Sequence, residues 1–314
     1  MNQDLLFFYY GTWFKSDPID IGRTTITALK SFRYDTHCIN SKRNFQCGVY
    51  KIIKTLNSES LSNGFLMRIS PFVAWYYYRN KRNILSVFSS KEGTKYEELY
   101  LSIKTNVTLD NQLTHSNPEV YVSSAVFVFM ALSAMCDYNH TAILEQVKLL
   151  LEQKNFNEGY ECSVKDIIKG YLEMFAKPEF NKETFYKSIS IKSIGDDGHA
   201  FKLTLYFLYF FDSFKDTEEY TKYRVIMNII CNCGGDTDTN AAIVGCVIGP
   251  LIGFDNFGRD IVTLLLYSPK NRVMYTNAMI YFYINYLKED NKEESECRFN
   301  FYRGLMTLLN IEIE

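Results

Sequence analysis

The sequence is poor in glycine and proline and has no excess of one charge, and each shortage disfavours a class of protein. Its 314 residues include only 16 glycines and 6 prolines, whereas an all-β sandwich or barrel needs many tight turns built from these residues. Lys and Arg total 34 against 36 Asp and Glu, a net charge of −2. The chain therefore lacks the basic surface of a general nucleic-acid-binding protein, and we expect no nucleic-acid partner.

Paired cysteines and long apolar runs are also missing. The eight cysteines form no Cys-x-x-Cys pair and the four histidines are scattered, so we expect reduced thiols, no zinc site and a cytoplasmic protein. No basic region precedes the apolar run at residues 5–10, which argues against a signal peptide. The longest apolar stretch, residues 241–254, falls short of the roughly 20 residues of a spanning helix, so we expect no membrane association.

The residues that are abundant favour one compact helical domain over residues 1–314. Hydrophobic residues make up 47% of the chain and include 24 Phe and 24 Tyr, enough for a large core. Asp17 before Pro18 predicts the start of a helix, with Asp17 as N-cap, and Pro118 predicts another that runs to residue 135. The segment 84–88 could be helix or strand. Further helices are predicted over residues 142–153, 164–175, 200–211, 218–230 (after a capping box at 216–219), 240–252, 277–287 and 299–309.

The strongest chemical signal is GGDTDT, residues 234–239, at the start of an apolar helix. Asp236 and Asp238 are close enough in sequence to repel each other, and a divalent cation relieves such repulsion, with Mg²⁺ or Ca²⁺ preferred by oxygen donors. The helix N-terminus would also attract an anion. The alternative is an ordinary N-cap with spare acids. A haloacid-dehalogenase-like nucleophile loop is disfavoured, because two glycines replace its preceding strand and Asn240 replaces its later Thr or Val.

Three other segments carry weaker signals. Asn63-Gly64 is a polar turn that leads into an apolar stretch with Arg68, which could offer amide N–H groups and a guanidinium to a phosphate. The alternative is a turn before a core helix. His115 precedes a helix, where a lone histidine is more often a hydrogen-bonding residue than a catalyst. Residues 17–25 are explained by a capped helix start.

In their order along the chain, these segments together resemble the ADP-ribosylglycohydrolase family. The matching residues are DIGRTT (20–25), NGFLMR (63–68), Thr114-His115 and GGDTDTNAAIVG (234–245), and the resemblance spans about residues 8–257. It implies an all-α orthogonal multi-helix bundle with a dinuclear Mg²⁺ centre, or sometimes Mn²⁺. It also implies hydrolysis of the bond between ADP-ribose and an Arg or Ser side chain, or a related O-linked group, so the partner would be ADP-ribose or an ADP-ribosylated protein.

The resemblance also implies roles for individual residues. Asp236 and Asp238 would be the catalytic acids, and the cation would polarise ribose hydroxyls and the attacking water. The metal ligands would be Asp236, Asp238 and Thr239; the diphosphate segment would include Asn63, Gly64, Met67 and Arg68; and Asp20 and His115 would border the substrate ribose.

One departure from the family concerns the other half of the metal site. Family members carry a Gly-Ala-x-x-Gly-Asp-type helix and a Thr-Asp-Asp-Thr motif upstream of the Asp-Ile-Gly region, and neither occurs in the 19 residues before Asp20. We therefore expect a start that is late relative to the family and a weakened Mg²⁺ site. Two functions remain open: an ADP-ribosyl-acceptor hydrolase, and a non-catalytic ADP-ribose-binding or interaction protein of the same fold.

Overall fold

The computed structural model describes residues 3–18, 21–34, 49–160, 162–190, 197–217, 220–253 and 256–257. Every regular element in these ranges is helical, which confirms the predicted all-α class. The described residues up to 253 belong to one compact unit, and the prediction of a single domain over the whole chain stays a prediction. The helices of this unit are α1 (Gln3–Lys15), α2 (Arg23–Tyr34), α3 (Val49–Leu56), α4 (Gly64–Met67), α5 (Ser70–Ser90), α6 (Gly93–Asn111), α7 (Pro118–Met135), α8 (His140–Leu151), α9 (Val164–Ala176), α10 (Lys182–Ser190), α11 (Asp197–Tyr209), α12 (Lys222–Cys233) and α13 (Thr237–Ile252), with a 3₁₀ turn at Phe211–Ser213.

Helix α7 is the centre of the core. Pro118 occupies its first turn, as predicted, and the side chain of Asn117 accepts the N–H of Glu119 at 2.9 Å and caps the helix. Every residue from Val120 to Ala134 is buried, against α5, α6, α8 and α13. By length and composition α7 is the one described helix that could cross a membrane, but 83% of it is buried inside the protein. Its all-round apolarity is what a core helix requires.

The aromatic residues fill a second part of the core, between α9, α10 and α11. The rings of Phe185 and Tyr206 stack with centroids 4.5 Å apart, and those of Phe180 and Phe210 stack at 5.4 Å. Phe175 meets several of them edge-on. Stacked and edge-to-face geometries are the favourable arrangements of aromatic pairs, so this part of the aromatic content serves packing.

The predicted helix start at Asp17 is wrong. Helix α1, which contains the apolar run at residues 5–10, ends at Lys15, and α2 begins only at Arg23. Asp17 has a left-handed backbone with φ 54°, and Pro18 follows it. A left-handed residue and then a proline are typical of a helix C-terminus, so Asp17 and Pro18 lie just beyond the end of α1.

The other predicted helices differ mainly at their ends. Helix α12 begins at Lys222 rather than at residue 218, and the side chain of Asp216 accepts the N–H of Lys222. Residues 218 and 219 of the predicted capping box lie outside the described residues. The ambiguous segment 84–88 lies within α5. Helix α13 begins at Thr237, three residues earlier than predicted. Residues 277–287 and 299–309 lie outside the described part of the chain.

Candidate functional site

The backbone between α12 and α13 is shaped by two glycines. Gly234 and Gly235 both have positive φ, +73° and +75°, and ψ of Gly234 is −168°. Asp236 (φ −82°, ψ 68°) is the central residue of an inverse γ-turn, which the N–H of Thr237 closes on the carbonyl of Gly235 at 3.0 Å. The N–H of Asn240 then bonds to the carbonyl of Asp236 at 3.0 Å. The chain thus places Asp236 at the N-cap of α13.

Replacing Gly234 by Ala should destabilise the protein by about 1–3 kcal/mol, because its φ and ψ fall in a region that is essentially limited to glycine. No heavy atom would lie within 4 Å of an added Cβ, so the effect would come from the backbone and not from a clash. Urea unfolding measures it. Gly170, in α9, is the matched control, because its added Cβ would also meet nothing and Gly170→Ala should stabilise a helix. Equal stability of Gly234→Ala and the wild type would contradict this backbone conformation.

The carboxyl groups of Asp236 and Asp238 interact directly. Burial raises the pKa of Asp236, and the neighbouring Asp238 raises it further. The backbone N–H of Thr239 lowers the pKa of Asp238, as does a hydrogen bond from Asp236. The two acids therefore differ, with the pKa of Asp236 raised and that of Asp238 lowered. A cation held between them would relieve the repulsion of the two carboxylates.

The NGFLMR segment packs directly on the start of α13. Asn63 precedes α4, which contacts α13. The hydroxyl of Thr239 donates to Sδ of Met67 at 3.5 Å, while half of Met67 stays exposed. Nδ2 of Asn63 and Oδ1 of Asn240 are buried and have no hydrogen-bond partner in the described part of the chain. The NGFLMR segment (63–68) and the GGDTDT segment (234–239) thus lie against each other and form one corner of the structure. This corner contains polar atoms available to a ligand.

Arg68 is the last residue of the NGFLMR segment and forms hydrogen bonds to Asp110 of α6. Its Nη2 donates to the carbonyl oxygen of Asp110 at 3.1 Å and to Oδ2 of the same residue at 3.4 Å. The guanidinium carbon lies 4.7 Å from the centre of the Tyr10 ring. Although burial opposes the charge, Tyr10 and Asp110 raise the pKa of Arg68, so it stays cationic.

His115 lies beneath the Asn-Gly turn and is fully buried. Its Nε2 is 2.9 Å from Oγ of Ser62, its Nδ1 is 2.8 Å from Oγ1 of Thr114, and its ring meets Phe65 edge-on. Burial, together with the charge of Arg68, lowers the pKa of His115 to about 3. His115 is thus a neutral residue that fixes the turn, and its contact with a substrate ribose stays a prediction.

The described part of the DIGRTT segment contacts the same turn, although Asp20 itself lies outside the described residues. The hydroxyls of Thr24 and Ser60 are 2.8 Å apart. The hydroxyl of Thr25 would be 3.6 Å from a Cβ added at Gly64. Side-chain contacts therefore link all four segments that the sequence singled out.

Several residues that join these segments were assigned no role from the sequence. The buried Asn57 donates from Nδ2 to the carbonyl oxygens of Thr24 and Thr114, at 3.0 and 2.8 Å. Tyr10 and Asp110, which flank the arginine, come from α1 and α6. None belongs to a spaced motif, and each is recognised only by its partner in space.

The oxygen donors of this corner suit one divalent cation. Asp236, Asp238 and Thr239 supply two carboxylates and a hydroxyl, which are hard ligands of the kind that Mg²⁺ prefers. Within the described ranges, no cluster of three or more His, Cys, Asp or Glu side chains could hold a metal ion. Asp236, Asp238 and Thr239 therefore suit a single ion, and the protein supplies only part of its ligands.

Comparison with known proteins supports the resemblance seen in the sequence. A model of the ADP-ribosylglycohydrolase family matches residues 3–275, a range that includes all four segments. A protein of Acanthamoeba polyphaga mimivirus, provisionally named ADP-ribosyl glycohydrolase L543, is 27% identical over 243 residues. That alignment covers 77% of this chain and 62% of the viral protein, so the match spans about three fifths of the relative's length.

Proposed function

Because this chain belongs to the ADP-ribosylglycohydrolase family, we propose that it hydrolyses the glycosidic bond between ADP-ribose and an acceptor. Family membership supports a hydrolase of glycosidic bonds. The finer assignment depends on one contact, the 3.5 Å approach of the Thr239 hydroxyl to Sδ of Met67. This contact places the pair Asp236 and Asp238, which suits a cation, directly against residues 63–68, which suit a diphosphate.

We assign Asp236, Asp238 and Thr239 as the residues that hold Mg²⁺, with Mn²⁺ as the alternative ion. When bound, the cation supplies Lewis-acid polarisation of the ribose hydroxyls and of the attacking water. The N-terminus of α13 favours a negatively charged ligand. Arg68 contributes charge-assisted hydrogen bonds to the diphosphate. In the reaction, the water oxygen bonds to the anomeric carbon, the bond to the acceptor breaks, and the acceptor leaves with a proton.

One observation favours a second candidate, binding of ADP-ribose without catalysis. The donor set has only two carboxylates, and the part of the chain that the structure describes offers no third acid beside them. Too few anionic ligands lower the affinity for Mg²⁺. The buried, unpartnered polar atoms of Asn63, Arg68 and Asn240 would still bind the ligand.

Thermal unfolding with ADP-ribose, in Mg²⁺ or in EDTA, tests both candidates. A ligand at 100 times its Kd stabilises the folded state by about 2.7 kcal/mol, so ADP-ribose should raise Tm, and should raise it more with Mg²⁺. Adenosine, which lacks the diphosphate, is the control ligand and should give a smaller shift.

Incubation with Arg-linked and Ser-linked ADP-ribosyl peptides then separates the two functions. Release of ADP-ribose that depends on Mg²⁺ supports the hydrolase. A thermal shift without release supports the binding protein. If ADP-ribose shifts Tm in neither Mg²⁺ nor EDTA, both proposals fail.

A further inference from the structure

Tyr10, Arg68 and Asp110 form a buried cluster that joins three helical segments distant in sequence. The side chains of Arg68 and Asp110 are only 16% and 7% exposed. The hydroxyl of Tyr10 donates to Oδ1 of Asp110 at 2.9 Å, and Nη2 of Arg68 lies 3.4 Å from Oδ2 of the same carboxylate. The phenol and the guanidinium thus each use a different oxygen of Asp110.

The arginine of this cluster is satisfied on one side only. Its Nη2 is bonded to Asp110, whereas Nε and Nη1 are buried and find no acceptor among the residues that the structure describes. Buried donors without an acceptor are rare in proteins because each lost hydrogen bond is costly. A purely structural arginine would have these groups paired. The free donors of Arg68 therefore point to an acceptor that the ligand brings.

The two partners restrict the guanidinium in different ways. The guanidinium carbon lies over the ring of Tyr10, 4.7 Å from its centroid, and the aromatic face attracts a cation there. Asp110 holds Nη2 through both its carboxylate and its backbone carbonyl. Burial raises the pKa of Tyr10, so its hydroxyl stays protonated and keeps donating to Asp110.

We propose that Tyr10 and Asp110 are positioning residues that orient Arg68 so that its Nε and Nη1 groups bind an oxygen of the ADP-ribose diphosphate. This inference rests on the proposed function and adds α1 and α6 to the ligand site. Neither positioning residue is assigned a contact with the ligand. Their effect on affinity is exerted through Arg68.

Calorimetric titration of ADP-ribose, in the presence of Mg²⁺, tests this role in a double-mutant cycle. Arg68→Met should raise Kd by roughly 10- to 100-fold, which corresponds to loss of hydrogen bonds from a charged group. Asp110→Asn should raise Kd by about tenfold, and Tyr10→Phe by a few-fold, because each leaves Arg68 less well oriented. In Arg68→Met/Asp110→Asn, Kd should be no higher than in Arg68→Met alone.

Tyr76→Phe is the matched control. Tyr76 is a buried tyrosine, whereas Tyr10 is half-buried, and the Tyr76 hydroxyl donates to Ser102 at 2.7 Å. Its replacement also removes one hydrogen bond of a tyrosine hydroxyl, and Kd for ADP-ribose should not change. If Asp110→Asn does not fold, Tyr10→Phe carries the test, since it keeps both the ring and the charge pair.

The outcomes separate this inference from the function beneath it. No binding of ADP-ribose by the wild-type protein would reject the proposed function, and the positioning role with it. Binding by the wild type with an unchanged Kd in Asp110→Asn and Tyr10→Phe would reject the positioning role alone. Additive effects of Arg68→Met and Asp110→Asn would also reject it, because they would show that Asp110 does not act through the arginine.

Discussion

Replacing Asp238 by Asn should lower Mg²⁺-dependent release of ADP-ribose by at least about a hundredfold. Asp238 is the member of the acid pair with the lowered pKa, because the backbone N–H of Thr239 and the side chain of Asp236 both favour its charged form. Lewis-acid stabilisation by a bound cation is worth several kcal/mol, and each 1.36 kcal/mol is a factor of ten in rate. Removing the charged ligand should remove most of that contribution.

The same variant should lose the part of the ADP-ribose thermal shift that depends on Mg²⁺, while the shift in EDTA stays. This second measurement does not require turnover. Asp166→Asn is the control, because Asp166 is also an acid in the first turn of a helix, α9, and lies at least partly exposed. It should change neither the rate nor the shift. A wild-type Mg²⁺ response in Asp238→Asn would show that the metal assignment is wrong.

Helix starts defined by local chemistry could be predicted from the sequence. Pro118 follows an Asn whose side chain caps the helix, and nothing beyond that turn is needed to start α7. Asp17-Pro18 has a similar composition but follows the last turn of α1. An Asp before a Pro fits either a helix start or a left-handed exit from a helix. The choice depends on whether the preceding residues are helical, which periodicity did not establish for residues 3–15.

In the candidate site, too, a motif of adjacent residues could be predicted from the sequence, whereas contacts between residues distant in sequence could not. The GGDTDT segment was recognisable because its two glycines, two acids and threonine are adjacent in sequence, and its geometry is set within one turn. The partners of Arg68 were not, because Asp110 is 42 residues away and Tyr10 is 100 residues from Asp110. No spacing rule joins such positions. The folding of α1 and α6 around α4 brings them together.

His115 makes the hydrogen bonds that its position before a helix led us to expect, since both its ring nitrogens pair with hydroxyls, of Ser62 and Thr114. Its place beside a substrate ribose, which the resemblance implies, stays a prediction. Hydroxyls can donate or accept, so a neutral imidazole is satisfied in this environment. The consequence is a dependence of stability on pH that sequence alone could not predict.

Acid should destabilise the protein by about 3 kcal/mol between pH 6.5 and pH 4 through His115 alone. An unfolded histidine takes up a proton near pH 6.5, but burial lowers the pKa of His115 in the folded protein to about 3. Between these values the unfolded state binds more protons, so the free energy of unfolding falls by about 1.4 kcal/mol for each pH unit of acidification. The contribution is therefore fully present above pH 6.5 and is lost as the pH decreases towards 3.

Urea unfolding at pH 7, 5.5 and 4 measures this loss, and His115→Gln isolates it. Glutamine can still bond to the hydroxyls of Ser62 and Thr114, but it does not titrate. Between pH 7 and pH 4 this variant should therefore lose less stability than the wild type, although at pH 7 it should be less stable than the wild type. His140→Gln, which changes a histidine that lies 3.3 Å from the exposed Asp212, should keep the acid loss that His115 causes. Equal acid dependence in His115→Gln and the wild type would mean that His115 can be protonated in place.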